Sequence, residues 1–137
     1  HGPTFAFKDV ALQFLAELLE WKTTAEREAA GEEGAAAARK YTLLGATSGD
    51  TGSAALEAFK GKACVDGYVL YPKGRISKIQ ERQMTAIDDE SLHAVAVDAP
   101  FDVCQRMVKE VLRSPELQEE FSFISINSIN WARIMAQ

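Results

Sequence analysis

The period of the hydrophobic positions changes several times along the chain, and each change marks an element. From Phe5 to Trp21, Val10, Phe14 and Leu18 recur at helical spacing with Ala11, Leu15 and Leu19 beside them. Pro3-Thr4 supplies a start, so this stretch predicts an amphipathic helix. Lys22 to Lys40 is rich in Ala and Glu, carries two glycines and lacks any large apolar residue, and it reads as a low-complexity surface insertion with at most a frayed helix. Tyr41-Thr42-Leu43-Leu44 is a short apolar run of the kind that forms a buried parallel strand. Ser53 to Phe59 is a helix-former run with Leu56 and Phe59 on one face, ended by Gly61-Lys62.

The alternation then repeats. Val65 to Tyr71 predicts a second strand, and Ile76 to Ile87 a helix with Ile79 and Met84 on or near its buried face. Leu92 to Val97 predicts a third strand, in which His93 reads as a strand residue rather than a catalyst. A helix follows with Asp102 as candidate cap and Val103, Met107, Val108 and Val111 as its apolar stripe, broken by Ser114-Pro115. Phe121 to Ile126 is the fourth strand, and a helix-like run continues to Gln137. Such alternation predicts an α/β fold, an open parallel four-stranded sheet flanked by helices and joined by right-handed crossovers, roughly Rossmann-like. Three stretches follow: a helix over 1–21, the insertion over 22–40 and the α/β lobe over 41–137.

Composition narrows the function classes. The 137 residues are 47% hydrophobic and 26% charged, an ordinary globular balance sufficient for one core. A net charge of −5 argues against nonspecific nucleic-acid binding, and no run approaches a membrane span. Cys64 and Cys104 have no CxxC spacing or nearby His, so reduced thiols are preferred over a metal site; the cytoplasm is the expected compartment, with an organelle stroma or matrix as the alternative. The chain opens directly on a motif and stops inside a helix-like run, which reads as a piece of a longer protein.

The chemistry concentrates at two strand-to-helix junctions. Gly45-Ala46-Thr47-Ser48-Gly49-Asp50-Thr51-Gly52 consists of small residues, four of them with a side-chain oxygen, at the start of a helix. Free N–H groups and hydroxyls there form an anion site, or else Ser, Thr and Asp merely cap the helix. The stretch is neither a Walker loop nor GxGxxG. At the second junction, Asn127 and Ser128 enter a helix with Arg133 within reach, which is either capping or a phosphate site with a forked donor. Lys73 and Arg75 follow the second strand, as a solvated turn or as charge at the ligand-binding edge of the sheet. Lys8 reads as a surface charge on its own, but Phe5 and Phe7 beside it would desolvate the amine, lower its pKa and free a nucleophile.

His1-Gly2-Pro3-Thr4-Phe5-Ala6-Phe7-Lys8-Asp9 followed by GATSGDTGSAA resembles the threonine synthases, enzymes of the tryptophan-synthase-β fold type that use pyridoxal phosphate (PLP). The likeness is to the long fungal and bacterial branch, and it continues through YPKGRISKIQERQM (Tyr71 to Met84) to INSINWARIMAQ (Ile126 to Gln137). The resemblance implies the small lobe of a fold-type-II PLP enzyme, with the Lys8 helix joining it to a larger lobe. It also implies a PLP Schiff base on Lys8, cofactor binding by Ser48, Gly49, Asp50 and Thr51, and substrate binding by Thr47, Ser48, Thr51, Asn127, Ser128 and Arg133. Many fold relatives have Asn at the Asp50 position, bonding the ring hydroxyl of PLP; a carboxylate there must share a proton with that oxygen.

The implied reaction converts O-phospho-L-homoserine and water to L-threonine and phosphate, the last step of threonine biosynthesis. The family's Gly-rich loop for the phosphate of PLP is not in this chain, so the chain alone is expected to be inactive while its parent is a lyase. The alternative is a noncatalytic threonine-synthase-like homologue that binds PLP or a phosphorylated ligand. A receiver-type phosphate-binding module is weaker, because Gly45-Ala46-Thr47 offers no acidic cluster at the end of the first strand.

Overall fold

The computed structural model describes residues 1–35 and 40–126. Its elements in order are α1 (Lys8–Ala35), β1 (Tyr41–Ala46), α2 (Asp50–Phe59), β2 (Val65–Pro72), α3 (Lys78–Thr85), β3 (Leu92–Val97), α4 (Phe101–Arg113), α5 (Pro115–Glu120) and β4 (Ser122–Ile126). All strand pairs are parallel, in the order β3-β2-β1-β4. The expected open parallel sheet is the one observed. The chain builds outward from β1 to β3 and then returns to the opposite side of β1, so the topological switch lies between β1 and β4. In open α/β sheets that is where ligands bind, beyond the carboxyl ends of the strands.

Register decides which side chains meet. Leu43 pairs with Gly67, and Gly45 with Val69 and Ile126, so Leu43, Val65, Val69, Tyr71 and Ile126 share one face. Against that face lie Ala54, Ala55, Leu56 and Phe59 of α2 and Met84 of α3, and α1 covers α2 through Leu12, Ala16 and Leu19. The other face, with Thr42, Leu44, Tyr68 and Phe123, is roofed by α4 and α5. His93 stacks on Tyr68 from the neighbouring strand at 4.9 Å between ring centroids, as a strand residue. Cys64 and Cys104 are buried free thiols, and no described helix is long and apolar enough to cross a membrane.

Several boundaries differ from the sequence expectation for identifiable reasons. α1 starts at Lys8 and runs through the supposed insertion to Ala35, interrupted only at Gly31 (φ 68). Ala and Glu have high intrinsic helix propensity, and the Lys22–Glu26 pair (3.6 Å) adds an i,i+4 contact, so low complexity here means helix. The buried side of α1 is Ala11, Leu12, Ala16 and Leu19, whereas Val10, Phe14 and Leu18 of the expected stripe are exposed. Ile79 is exposed while Met84 is buried. In α4 the N-cap is Pro100 and Asp102 lies in the first turn; Cys104 and Val108 are buried, and Met107 is not. Ser114 and Pro115 do more than break α4: Ser114 caps and Pro115 opens α5, a use of Pro at the first helical position.

Polar contacts fix α1 and α3. Lys62, after α2, reaches Glu17 at 2.6 Å and Glu20 at 2.5 Å on α1, and these hydrogen bonds hold its ammonium pKa above the ordinary lysine value. The Tyr71 hydroxyl donates to Glu81 of α3 at 3.1 Å. Burial, and then the Glu81 carboxylate, push that phenol above its ordinary pKa and keep it a neutral donor. Among the described residues, Phe59 is the largest side chain sealed into the core. Phe59→Ala is expected to cost about 3–5 kcal/mol, seen as a lower urea midpoint at unchanged m-value.

Candidate functional site

The turn from β1 into α2 is organised by the hydroxyl of Thr47. Its Oγ1 accepts the N–H groups of Gly49 (3.0 Å) and Gly52 (2.9 Å) and donates to the Gly49 carbonyl (3.1 Å). One buried side chain thus replaces the acceptors that a helix start lacks. Gly49 has φ 146, open only to glycine at low cost, and a Cβ at Gly52 would stand 2.5 Å from Thr47 Cγ2 and 2.6 Å from Met84 Sδ. Among the described residues, the N–H groups of Asp50 and Thr51 have no acceptor, so they remain available at the positive end of α2.

Lys8 reaches the same place from the other end of the chain. Asp9, buried beside it, accepts from the Thr4 N–H (2.9 Å) and hydroxyl (2.5 Å), closing the turn that leads into α1. Gly2 is required there, because a Cβ would stand 2.2 Å from that of Asp9. The Lys8 ammonium lies over the Phe7 ring, 5.3 Å from its centroid, a cation–π contact. Phe5 turns away and stacks on His1 at 4.4 Å, so the apolar wall expected around the amine is not formed by that residue.

Lys8, Thr47, Ser48 and Thr51 line one cleft of about 250 Å³ at the switch point, together with Ser125 and Ile126 at the end of β4. The structure therefore joins the first motif to the central loop. Gly49 and Asp50 are not among the lining residues; Asp50 turns toward α3, where Gln80 Nε2 donates to its Oδ1 at 2.5 Å. Thr47 lines the cleft, but its hydroxyl is committed to the loop. Lys73 and Arg75 are exposed in the turn after β2 and do not line the cleft. Asn127, Ser128 and Arg133 lie outside the described residues.

The sequence reading missed the far wall of the cleft, Phe101, Gln105 and Lys109 of α4. Their i, i+4, i+8 spacing marks one helix face, but nothing local says that this face meets the loop. It also missed the Ser77–Gln80 capping box, a recognisable S-x-x-Q pattern.

No family model matches the chain. Threonine synthase of Eremothecium gossypii is 48% identical over 137 residues, covering all of this chain and 26% of that protein. The crystal structure of threonine synthase from yeast matches with TM-score 0.86 and 46% identity over 99% of this chain. The chain has the sequence and fold of a threonine synthase segment. PLP-bound threonine synthase from Brucella melitensis superposes nearly as well, at TM-score 0.85 and 44% identity over 99% of this chain and 27% of that one. The segment thus spans about a quarter of the length of these threonine synthases.

The Thr47 brace can be tested without any ligand. Thr47→Val keeps the shape but leaves the buried Gly49 N–H without its acceptor, a loss of about 1–3 kcal/mol, while the Gly52 N–H keeps only the Gly49 carbonyl at 3.2 Å. A drop of that order in urea stability is expected, whereas Ser48→Ala, at an exposed position, should change it little.

Proposed function

We propose that this chain is the Lys-bearing part of a threonine synthase that converts O-phospho-L-homoserine and water to L-threonine and phosphate in the cytoplasm. The observation that carries this reading is the shared cleft of Lys8 and the Thr47–Thr51 loop, in a chain whose whole length matches threonine synthases. The donor set fits PLP: an amine for its aldehyde, and hydroxyls and free N–H groups at a helix start for anionic groups. Lys8 would carry the group covalently, with Ser48, Gly49, Asp50 and Thr51 around it. Bound there, PLP would supply an electron sink for carbanion chemistry.

The rest of the work falls to the chain's own residues. Lys8 takes protons from Cα and Cβ of the substrate and gives protons to Cγ, once phosphate has left, and to Cα, as general base and then acid. Thr51 and Ser48 hold the substrate carboxylate through N–H and hydroxyl donors, in a loop braced by Thr47. Asn127, Ser128 and Arg133 take the phosphate; Asn127 follows directly on Ile126, which lines the cleft. The C–O bond at Cγ breaks as phosphate leaves, and water adds its hydroxyl at Cβ.

The exposed side of α1 belongs to the same reading. Phe7, Val10, Phe14, Leu18 and Trp21 form a second apolar stripe, and Trp21 is 69% exposed. Such a patch marks an interaction face. In this proposal it packs on the larger lobe of a protein about four times as long, as the 26% coverage of relatives suggests. The chain alone is expected to be inactive, since it lacks the family's Gly-rich loop for the PLP phosphate.

Two experiments test the proposal. In the full-length protein, PLP should give a visible absorption band and borohydride should fix it on Lys8; threonine formation surviving in Lys8→Ala would sink the assignment. Charge-assisted hydrogen bonds contribute about 1.5–3 kcal/mol each, so Arg133→Ala should lose ten- to a hundredfold or more in kcat/KM for phosphohomoserine. The cofactor's spectral response to a phosphate-free amino acid should stay near normal in that variant, while Thr51→Ala should weaken it for both compounds. Equal impairment of both ligands by Arg133→Ala would refute the phosphate role.

A further inference from the structure

α3 touches both halves of the candidate site. Its N-cap Ser77 forms a capping box with Gln80, in which the Gln80 N–H donates to Ser77 Oγ at 3.2 Å. Gln80 Oε1 in turn accepts from the Ser77 hydroxyl (3.0 Å) and N–H (3.4 Å). With Oε1 taken by two donors, the orientation of the amide is settled by its partners, and Nε2 must face Asp50 Oδ1, 2.5 Å away. The same amide passes over Gly49, where an added Cβ would lie 2.4 Å from Gln80 Cδ. Three residues on, Gln83 Nε2 donates to the Thr4 carbonyl at 3.4 Å, in the turn that delivers Lys8. The helix itself is fixed by buried Met84 and by Tyr71 on Glu81.

We propose that Gln80 is a positioning residue: it holds the Gly49-Asp50 corner against α3, engages one carboxylate oxygen of Asp50 and leaves the other for a ligand in the site. Gln83 ties the Lys8 turn to the same helix, so α3 sets the relation between the lysine and the anion loop. The role of the corner in holding PLP rests on the function proposed above; the tether itself does not.

Gln80→Glu separates the two jobs of this side chain. Glutamate at this position preserves the capping box with Ser77, but it removes the donor to Asp50 and sets a second carboxylate against it. The first measurement is hydrogen exchange at the Gly49 and Gly52 amides in cofactor-free full-length protein. A hydrogen bond to a charged group of the usual strength predicts exchange faster by roughly tenfold or more, with the urea midpoint near that of wild type. The second is PLP affinity, followed by visible absorbance, which should weaken by a similar factor. Gln80→Met, of similar length without a donor, should loosen the loop in the same direction by a smaller factor.

A helix cap alone would leave Gln80→Glu silent. Exchange within twofold of wild type in both variants would overturn the inference, whatever the cofactor does. A wild-type protein that takes up no PLP would count against the proposed function instead, while faster exchange in the variants would still establish the tether.

Discussion

The structure around the cleft depends on one hydroxyl. Where β1 ends, the chain must turn sharply into α2, and the opening N–H groups of α2 need acceptors. Thr47 supplies them from a buried position, taking two N–H groups on one oxygen and giving its own proton to the loop. Small residues follow from that arrangement. Gly49 adopts a backbone conformation costly for other residues, and Gly52 lets the loop close onto Met84 and Val69. Because Thr47 satisfies the inner donors, the outer ones at Asp50 and Thr51 stay open toward a ligand.

Around this joint the molecule is held by contacts between segments distant in sequence. Asp9 closes the turn before α1, Lys62 binds Glu17 and Glu20 to hold that helix against the lobe, and α3 meets both the loop and the Lys8 turn. Parallel strand order places the ends of β1 and β4 side by side, so the cleft opens where crossovers diverge to opposite faces. An α1 with one side buried and the other apolar and exposed suits a segment that mediates between the sheet lobe and further chain.

Legibility in the sequence varied with the range of the deciding interaction. Strands β1 to β4 were visible as short, largely apolar or alternating runs of strand length between turn signals. Faces of helices were less legible. Val10, Phe14 and Leu18 form as good a stripe as Leu12, Ala16 and Leu19, and periodicity cannot say which one meets α2. Ile79 and Met107 were read as buried for the same reason, and each faces out. The run from Lys22 was judged on composition, although its Ala and Glu content is itself a helix signal.

The sequence alone determined the alternation of elements, the polar junction after β1 and the likeness to threonine synthases. These are local in origin: strand and helix periods, turn chemistry and ordered motifs. Tertiary structure alone decided that Lys8 and the Thr47–Thr51 loop line one cleft, since that requires α1 to dock on α2 and β4 to cross back beside β1. It also turned Asp50 toward Gln80 and assigned Thr47 to bracing the loop, because a side chain's partners depend on which distant backbone packing brings within hydrogen-bond reach.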